Sequence, residues 1–312
     1  MQTVTLGRTG LEVSVAGLGC GGHSRLGMAA GGDEAHASRI VAAALDLGIN
    51  FIDTARAYGT EAAVGDAIRG RRDGVVLSTK ALPVSAAGPL GAAELRQSLE
   101  QSLARLGTDY VDIFHLHGVL EDQYRHCVDV LLPELVRARE AGKIRFIGIT
   151  ERFGNDTCHA MLERALLEDH FDVVMVGHNL INPSARRSVF PLTLAHGVGT
   201  LIMFAVRRAL TNRDNVREVV EKLIAEGAVD ANSVDRSDPL AFVTAHPQVK
   251  SLVEAAYRFC RHEPGAHVVL TGTGSVEHLR ENVAAILAPP LPEALIGRLT
   301  ELFGRVDSVS GD

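Results

Sequence analysis

The sequence predicts a (β/α)8 barrel with an N-terminal β-hairpin. Eight short, almost continuously apolar runs recur along the chain, as expected for parallel strands that are covered on both faces. Segments with apolar residues at helical spacing separate these runs, which is typical of β-α-β units. Eight such units within about 250 residues favour a closed barrel over a doubly wound open sheet, which is the second possibility.

The elements follow in a regular order. Strands are predicted at residues 15–19, 49–53, 75–80, 111–117, 144–149, 172–176, 199–204 and 266–271. Helices are predicted at residues 36–47, 91–106, 124–141, 156–168 and 275–287. The segments TVTLG and LEVSV indicate a hairpin that closes the floor of the barrel. Residues 205–248 show no strand and predict a long functional loop with some helix of its own. We expect residues 1–312 to form one domain.

Composition and charge exclude several classes of protein. The 312 residues carry a formal net charge of −7 without a long basic run, which argues against nucleic-acid binding. Three arginine pairs, among them Arg207-Arg208, are typical of solvated turns or helix ends. No stretch reaches the roughly 18 apolar residues of a membrane span, and no secretory signal is visible. The four cysteines are widely spaced, as expected of free thiols. We therefore expect a cytoplasmic protein, and its oligomeric state stays open.

Residues 17–22, GLGCGG, match the letters of a dinucleotide-binding glycine motif. That motif requires a helix to begin within the glycines, so that the helix N-terminus meets the pyrophosphate. Here the chain continues as HSRLGMAAGGD, a second glycine-bearing loop. We therefore expect only that the backbone at Gly19 and Cys20 lies close to a bound ligand. Cys20, Gly21 and His23 are expected to line the mouth of the site.

Polar side chains lie at or just after the carboxyl ends of three consecutive strands. Asp53 ends NFID, Lys80 ends VVLSTK and His117 ends VDIFHLH. Tyr58 follows Asp53 in the loop RAYG. In a parallel barrel these strand ends share one face, where active sites form. Each residue alone has a structural explanation, but their joint placement predicts a shared pocket.

This set of groups suits the reduction of a carbonyl, which needs a hydride donor and a proton donor for the developing alkoxide. A free phenol has a pKa of about 10, and a neighbouring ammonium such as that of Lys80 is expected to lower the pKa of Tyr58. Asp53 is expected to keep Lys80 charged and in place. His117 is expected to orient the carbonyl oxygen and to share the proton transfer.

The last predicted strand, AHVVLT, runs into Gly272, Thr273, Gly274 and Ser275 and then into a helix. Glycines at such a junction let backbone N–H groups face an anion, and the helix N-terminus favours negative charge. Barrels often bind phosphate after their last strands. The sequence therefore predicts a phosphate-bearing ligand at this junction.

Four segments in this order resemble the aldo-keto reductases: NFIDTARAYGTEAAVGDAI, VVLSTK, YVDIFHLH and GKIRFIGIT. The resemblance runs from TLGRTGLEVSVAGLG to the ENV near residue 283. It implies a (β/α)8 enzyme that moves a hydride between a nicotinamide cofactor and the carbonyl or alcohol carbon of an aldehyde, ketone or sugar, without a metal. It also implies that Asp53, Tyr58, Lys80 and His117 are the catalytic tetrad, with Tyr58 as general acid and base. By family tendency NADP(H) is favoured over NAD(H).

The resemblance implies a nicotinamide contact set that is altered in this chain. Phe204 stands where many members stack a tyrosine on the nicotinamide ring. The usual Ser-Asn pair that holds the carboxamide is Thr150-Glu151, and a usual glutamine is Met175. Gly21 stands where several members carry a tryptophan, which implies a roomier pocket.

The adenine end of the implied cofactor site is altered as well. The lysine and arginine that clamp a 2′-phosphate correspond to Gly272 and His278, although Arg280 lies one turn away. Glu281 and Asn282 correspond to residues that contact the adenine. The remaining predicted cofactor positions are Gly19, Cys20, Thr273 and Gly274.

Three alternatives stay open at this point. The reaction direction is one, because the chain equally suits an NAD-dependent sugar or alcohol dehydrogenase. His115-x-His117 is a second, since metal-dependent barrel hydrolases use an H-x-H pair, although usually on the first strand. A binding protein that senses the cofactor without turnover is the third, and the complete tetrad argues against it. We expect a small-molecule carbonyl or alcohol as substrate, and no nucleic-acid or membrane partner.

Overall fold

Eight parallel strands close into a barrel in the computed structural model, which describes residues 1–312. The strands of the chain are β1 (Thr3–Thr5), β2 (Glu12–Ser14), β3 (Ala16–Gly19), β4 (Phe51–Asp53), β5 (Val76–Ala81), β6 (Val84–Ser85), β7 (Gly88–Pro89), β8 (Val111–Val119), β9 (Ile144–Glu151), β10 (Val173–Gly177), β11 (Gly199–Met203) and β12 (Val268–Thr271). Around the barrel the order is β3, β4, β5, β8, β9, β10, β11 and β12, and β12 pairs with β3. The predicted (β/α)8 barrel is therefore confirmed.

The barrel strands are apolar because both of their faces are covered. All six positions of β5 are buried, for example. A core of 74 buried residues joins the strands to the surrounding helices. This double burial is why the strands are near-continuous apolar runs in the sequence.

The hairpin of β1 and β2 closes the amino-terminal end of the barrel, as predicted. Leu6, Leu11 and Val13 are buried in a second apolar cluster together with barrel residues such as Phe51 and Val173. The floor of the barrel is thus sealed by apolar side chains, and polar groups gather at the opposite, carboxyl end.

Helices surround the barrel. They are α1 (Glu34–Asp46), α2 (Glu61–Ile68), α3 (Ala92–Leu106), α4 (Tyr124–His126), α5 (Leu132–Glu140), α6 (Ala160–Glu168), α7 (Ala185–Ser188), α8 (Phe190–His196), α9 (Arg213–Ala225), α10 (Ala241–Thr244), α11 (Leu252–Arg261), α12 (Val276–Ile286) and α13 (Glu293–Phe303). Turns of 3-10 helix occur at Gly7–Thr9, Arg25–Ala30, Arg56–Tyr58, Arg72–Gly74, Glu121–Gln123, Arg208–Leu210 and Ala231–Ser233. A π-helical turn at Cys127–Leu131 joins α4 to α5 just before Pro133, which has no backbone N–H for the helical hydrogen bonds.

The region at residues 205–248 contains no strand and has some helix of its own, α9 and α10, as predicted. The segment after α13 returns to the carboxyl end of the barrel. There Asn182 Nδ2 donates to the carbonyl of Val309 at 2.8 Å, and Arg207 pairs with Asp312 at 2.7 Å. Of the helices, none combines the length and the apolar character that crossing a membrane requires.

Candidate active site

The carboxyl ends of the barrel strands bring the four predicted polar side chains together. Lys80 Nζ is fully buried and donates to Asp53 Oδ2 at 2.7 Å and to the Thr54 carbonyl at 2.8 Å. Tyr58 Oη and His117 Nε2 are 3.3 Å apart. Lys80 Nζ lies 4.9 Å from the centre of the Tyr58 ring. Asp53, Tyr58, Lys80 and His117 therefore form one cluster.

Neighbouring strands and one tight turn hold this cluster. Asp53 ends β4 and Lys80 lies near the end of β5, the adjacent strand. Ser78 Oγ donates to Asp53 Oδ1 at 2.8 Å, so both carboxylate oxygens have partners. A 3-10 turn at Arg56–Tyr58 brings the phenol back over the barrel. A buried ion pair is tolerated only with such complete hydrogen bonding.

Burial and charge set the protonation of the cluster. Burial has the largest single effect on the pKa of Lys80 and lowers it, but Asp53 and Tyr58 together outweigh burial, so the pKa is raised and the ammonium is charged. Burial raises the pKa of Tyr58, although the Lys80 ammonium opposes this rise. The net lowering expected for Tyr58 is therefore not found, because loss of solvent outweighs the ammonium. Burial, together with Lys80 and Arg152, lowers the pKa of His117 to about 3. Tyr58 and His117 are thus both neutral at neutral pH.

The cluster opens into a cavity of about 920 Å³ at the carboxyl end of the barrel. This volume is in the range of ligand pockets. The predicted residues that line it are Gly19, Gly21, His23, Asp53, Tyr58, His117, Thr150, Glu151, Met175, Phe204 and Gly272. A neighbouring cleft of about 590 Å³ is lined by Thr273, Gly274 and His278.

Three predicted cofactor residues line neither cavity. The Cys20 side chain is fully buried in the core, because side chains alternate along the strand and Gly19 is the residue that faces the cavity. The expectation that Cys20 lines the mouth of the site is therefore wrong. Asn282 Nδ2 donates to Thr271 Oγ1 at 2.9 Å. Glu281 is exposed on α12, and the adenine contacts of Glu281 and Asn282 stay a prediction.

Glu151 lines the cavity, but protein groups hold its carboxylate. The backbone N–H of Gly177 donates to Glu151 Oε1 at 2.7 Å, and His159 Nδ1 lies 2.9 Å from Oε2. Burial raises the pKa of Glu151, and His159 opposes this rise. In contrast, Thr150 Oγ1 accepts from the backbone N–H of Gly118 at 2.7 Å, which leaves its own proton for a ligand. Thr150 is thus better placed than Glu151 to donate to a carboxamide oxygen.

Two arginines that follow Phe204 in the chain line the cavity, which the sequence did not reveal. The Phe204 ring is edge-on to Phe153 at 5.4 Å, and the Arg207 guanidinium lies 3.9 Å from the centre of the Phe204 ring. Arg207 and Arg208 both line the cavity, although this pair was expected in a solvated turn. Arg152 lines it as well. Charged residues in loops follow no periodicity, so the sequence holds no signal for these positions.

Two glycines at the phosphate end permit close backbone approach. A Cβ at Gly272 would lie 2.7 Å from the carbonyl oxygen of Gly19. A Cβ at Gly274 would lie 2.6 Å from the Cα of Gly27. Only glycine fits at both points, so the loop after β12 packs tightly against the loop after β3.

The cleft beyond these glycines contains imidazoles instead of permanent cations. His23, His36 and His278 line it, and neither lysine nor arginine does. His36 Nε2 lies 2.8 Å from the carbonyl oxygen of Gly274. Ser275 caps α12 by accepting from the backbone N–H of His278 at 3.4 Å.

His115 lies inside the barrel and is fully buried. Neither of its ring nitrogens has a hydrogen-bond partner. The ring fills the space beside Gly148, where a Cβ would lie 2.1 Å from His115 Nδ1. No group of three or more His, Cys, Asp or Glu side chains is arranged to hold a metal ion. The pair His115 and His117 therefore lacks the further ligands of a hydrolase site.

Comparisons with known proteins agree with this geometry. The model of the aldo/keto reductase family matches residues 18–303. The chain is 27% identical over 309 residues to the oxidoreductase YqkF of Bacillus subtilis, covering 96% of this chain and 95% of that protein. It is 28% identical over 288 residues to an L-galactose dehydrogenase of Arabidopsis thaliana, covering 90% and 86%. An apo structure of an aldo-keto reductase from Bacillus halodurans has a TM-score of 0.74 at 26% identity, covering 98% and 97%. The chain therefore belongs to the aldo/keto reductase family and is an oxidoreductase.

Proposed function

We propose that this chain reduces a carbonyl group of an aldehyde, ketone or sugar with a nicotinamide dinucleotide, and that Tyr58 donates the proton. One observation carries the proposal. Tyr58 Oη lies 3.3 Å from His117 Nε2, beside the buried Lys80–Asp53 ion pair, and both Tyr58 and His117 face the large cavity. A proton donor, a group that orients the carbonyl and a buried ion pair thus lie together.

Each residue of the cluster has a separate task in this proposal. The bound nicotinamide supplies the hydride. Tyr58 is protonated at neutral pH, because burial raises its pKa, and it donates to the developing alkoxide. The Lys80 ammonium stabilises the phenolate that remains. Asp53 fixes Lys80, and the neutral His117 orients the carbonyl oxygen.

The cavity suits a nicotinamide dinucleotide in shape and in chemistry. Phe204 presents a partly exposed ring for stacking, and the Thr150 hydroxyl has a free proton for the carboxamide. Met175 offers only an apolar contact there. At the other end, the backbone around Gly272 and Gly274 and the start of α12 suit a phosphate.

We expected NADP(H) from the family tendency, but the residues of the cleft favour only a weak preference between NADP(H) and NAD(H). A 2′-phosphate is best held by arginine or lysine. The cleft offers His23, His36 and His278 instead. We therefore propose that NAD(H) binds at least as tightly as NADP(H), which fluorescence titrations with NADH and NADPH would test.

Tyr58→Phe tests the assignment of the acid. The variant keeps the ring, so it should bind the cofactor normally while aldehyde reduction falls about 10²–10⁴-fold. Tyr110→Phe removes a hydroxyl that makes no hydrogen bond to the chain and lies outside the cavity, and it is the matched control. Unchanged turnover in Tyr58→Phe would falsify the role of Tyr58.

Oxidation of a sugar with NAD is the second candidate. It is favoured by the similarity to the L-galactose dehydrogenase of Arabidopsis thaliana, at 28% identity. In this direction Tyr58 must act as the base, so oxidation should become faster as pH rises toward its raised pKa. Assays of L-galactose with NAD and of aldehydes with NADH at several pH values separate the two directions.

A further inference from the structure

Arg152 is the one charged side chain in the cavity lining that has no partner within the chain. Asp53 pairs with Lys80, and Glu151 is held by His159. The two other lining arginines are also paired, Arg207 with Asp312 and Arg208 with Glu218. Arg152 is exposed, and its guanidinium contacts no carboxylate.

The backbone that carries Arg152 is held firmly. Its carbonyl oxygen accepts from the N–H groups of Asn155 at 2.7 Å and Asp156 at 3.1 Å. The residue before it, Glu151, is fixed by two hydrogen-bonding partners. The residue after it, Phe153, is 1% exposed. The backbone of Arg152 is therefore fixed at the cavity wall, whereas its exposed side chain has no partner in the chain.

Phe153 is anchored by close packing on two sides. Its ring stacks on His159 with centres 5.2 Å apart and planes 11° apart. It also fills the space over Gly177, where a Cβ would lie 2.2 Å from the Phe153 ring. Such packing holds the backbone turn that carries Arg152, which lines the cavity.

The Arg152 charge lies near the reacting groups. It contributes to the lowered pKa of His117, so its field reaches the residue that is proposed to orient the carbonyl. Arg152 follows β9, whereas the proposed phosphate site follows β12, three strands away around the barrel. The free guanidinium therefore lines the same cavity as His117, on strands other than the one that leads to the proposed phosphate site.

We propose that the substrate carries a carboxylate and that Arg152 binds it next to the reacting carbonyl. A guanidinium binds a carboxylate through two parallel hydrogen bonds. Its single positive charge neutralises the single negative charge of the carboxylate. A phosphate carries up to about two negative charges, and the other lining arginines are already paired. The proposal rests on the proposed reductase function and names the substrate class of that site.

A matched pair of compounds tests it: 4-carboxybenzaldehyde and its methyl ester, which differ in charge but keep the same aldehyde. The wild-type chain should reduce the carboxylate with at least about tenfold higher kcat/KM. Arg152→Gln should remove this preference by raising KM for the carboxylate, with kcat little changed and the ester unaffected. Arg152→Lys should keep part of the preference. Arg69→Gln removes one charge at the opposite end of the barrel and should change nothing.

Each outcome decides the matter. Equal use of the two compounds, or the same loss of preference in Arg69→Gln, would overturn the inference and leave the reductase function intact. A preference for glyceraldehyde 3-phosphate over glyceraldehyde that exceeds the carboxylate preference would overturn the choice of carboxylate. Failure to reduce any of these aldehydes would overturn the proposed function, and the substrate class with it. Thermal unfolding of each variant verifies that it folds.

Discussion

Gly21 determines where the Tyr58 ring lies, and Gly21→Ala tests this directly. A Cβ at Gly21 would lie 2.6 Å from both Cε2 and Cζ of Tyr58. Because carbon atoms pack at about 3.5–4.0 Å, the ring must move by roughly 1 Å. The contact between Tyr58 Oη and His117 Nε2 is already long at 3.3 Å, so this shift breaks it. A displacement of that size near reacting atoms costs about 10²-fold in rate.

The substitution adds no backbone strain, since Gly21 is not among the residues with positive φ, so any loss of stability reflects the displaced Tyr58 ring. The measurements are kcat/KM for an aldehyde that the wild-type chain reduces, the Tm, and a cofactor titration. Gly297→Ala, at a helical position with open space around it, is the control. Wild-type turnover by a folded Gly21→Ala variant would refute the claim that Gly21 determines where the Tyr58 ring lies, because the loop after β3 would then have moved instead of the ring.

Two predictions concern buried charge. Lys80→Met leaves the Asp53 carboxylate buried without a cation, so the free energy of unfolding should fall by about 3–5 kcal/mol in denaturant melts. Adding Asp53→Asn should recover part of the loss, and a double variant no more stable than Lys80→Met would contradict this account. The second prediction involves three histidines whose pKa values are lowered mainly by burial: His115, His117 and His178. Below about pH 6.5 they protonate in the unfolded chain first, so stability should fall as the pH decreases from there toward about 4. Equal urea midpoints at pH 7 and pH 5 would argue against it.

The barrel was predictable because its strands are buried on both faces and therefore appear as apolar runs. The prediction of the helices was less complete. No helix was predicted at α2, whose Gly65 is disfavoured in helices but allows contact with α3, since a Cβ there would lie 2.6 Å from the carbonyl oxygen of Leu106. The charged helix α9 was covered only by the general expectation of some helix in residues 205–248. The interpretation of residues 1–312 as one domain stays a prediction.

The candidate site was predictable where strand geometry determines it. Asp53, Lys80 and His117 lie at strand ends, and parallel strands bring such ends to one face. The protonation of Tyr58 was not predictable, because the balance of burial against an ammonium depends on the final packing. Arg152 was missed for a similar reason. Its lack of a partner becomes evident only when the folded structure shows which side chains the other charged residues of the cavity contact.

Glu151 links the altered cofactor site to the proposed substrate site. A carboxylate buried at this position needs hydrogen-bond donors, and it obtains one from His159, which has the left-handed φ of +67°. The His159 ring in turn stacks on Phe153, which also meets Phe204 edge-on at 5.4 Å. The Glu151 carboxylate, at a position where the resemblance implies an amide, therefore takes part in a packed connection. Through it, the ring proposed to stack on the nicotinamide and the turn that presents Arg152 are held in one packed unit. Phe153 contacts both parts of this unit, so we expect cofactor binding at Phe204 and substrate binding at Arg152 to depend on the same contacts.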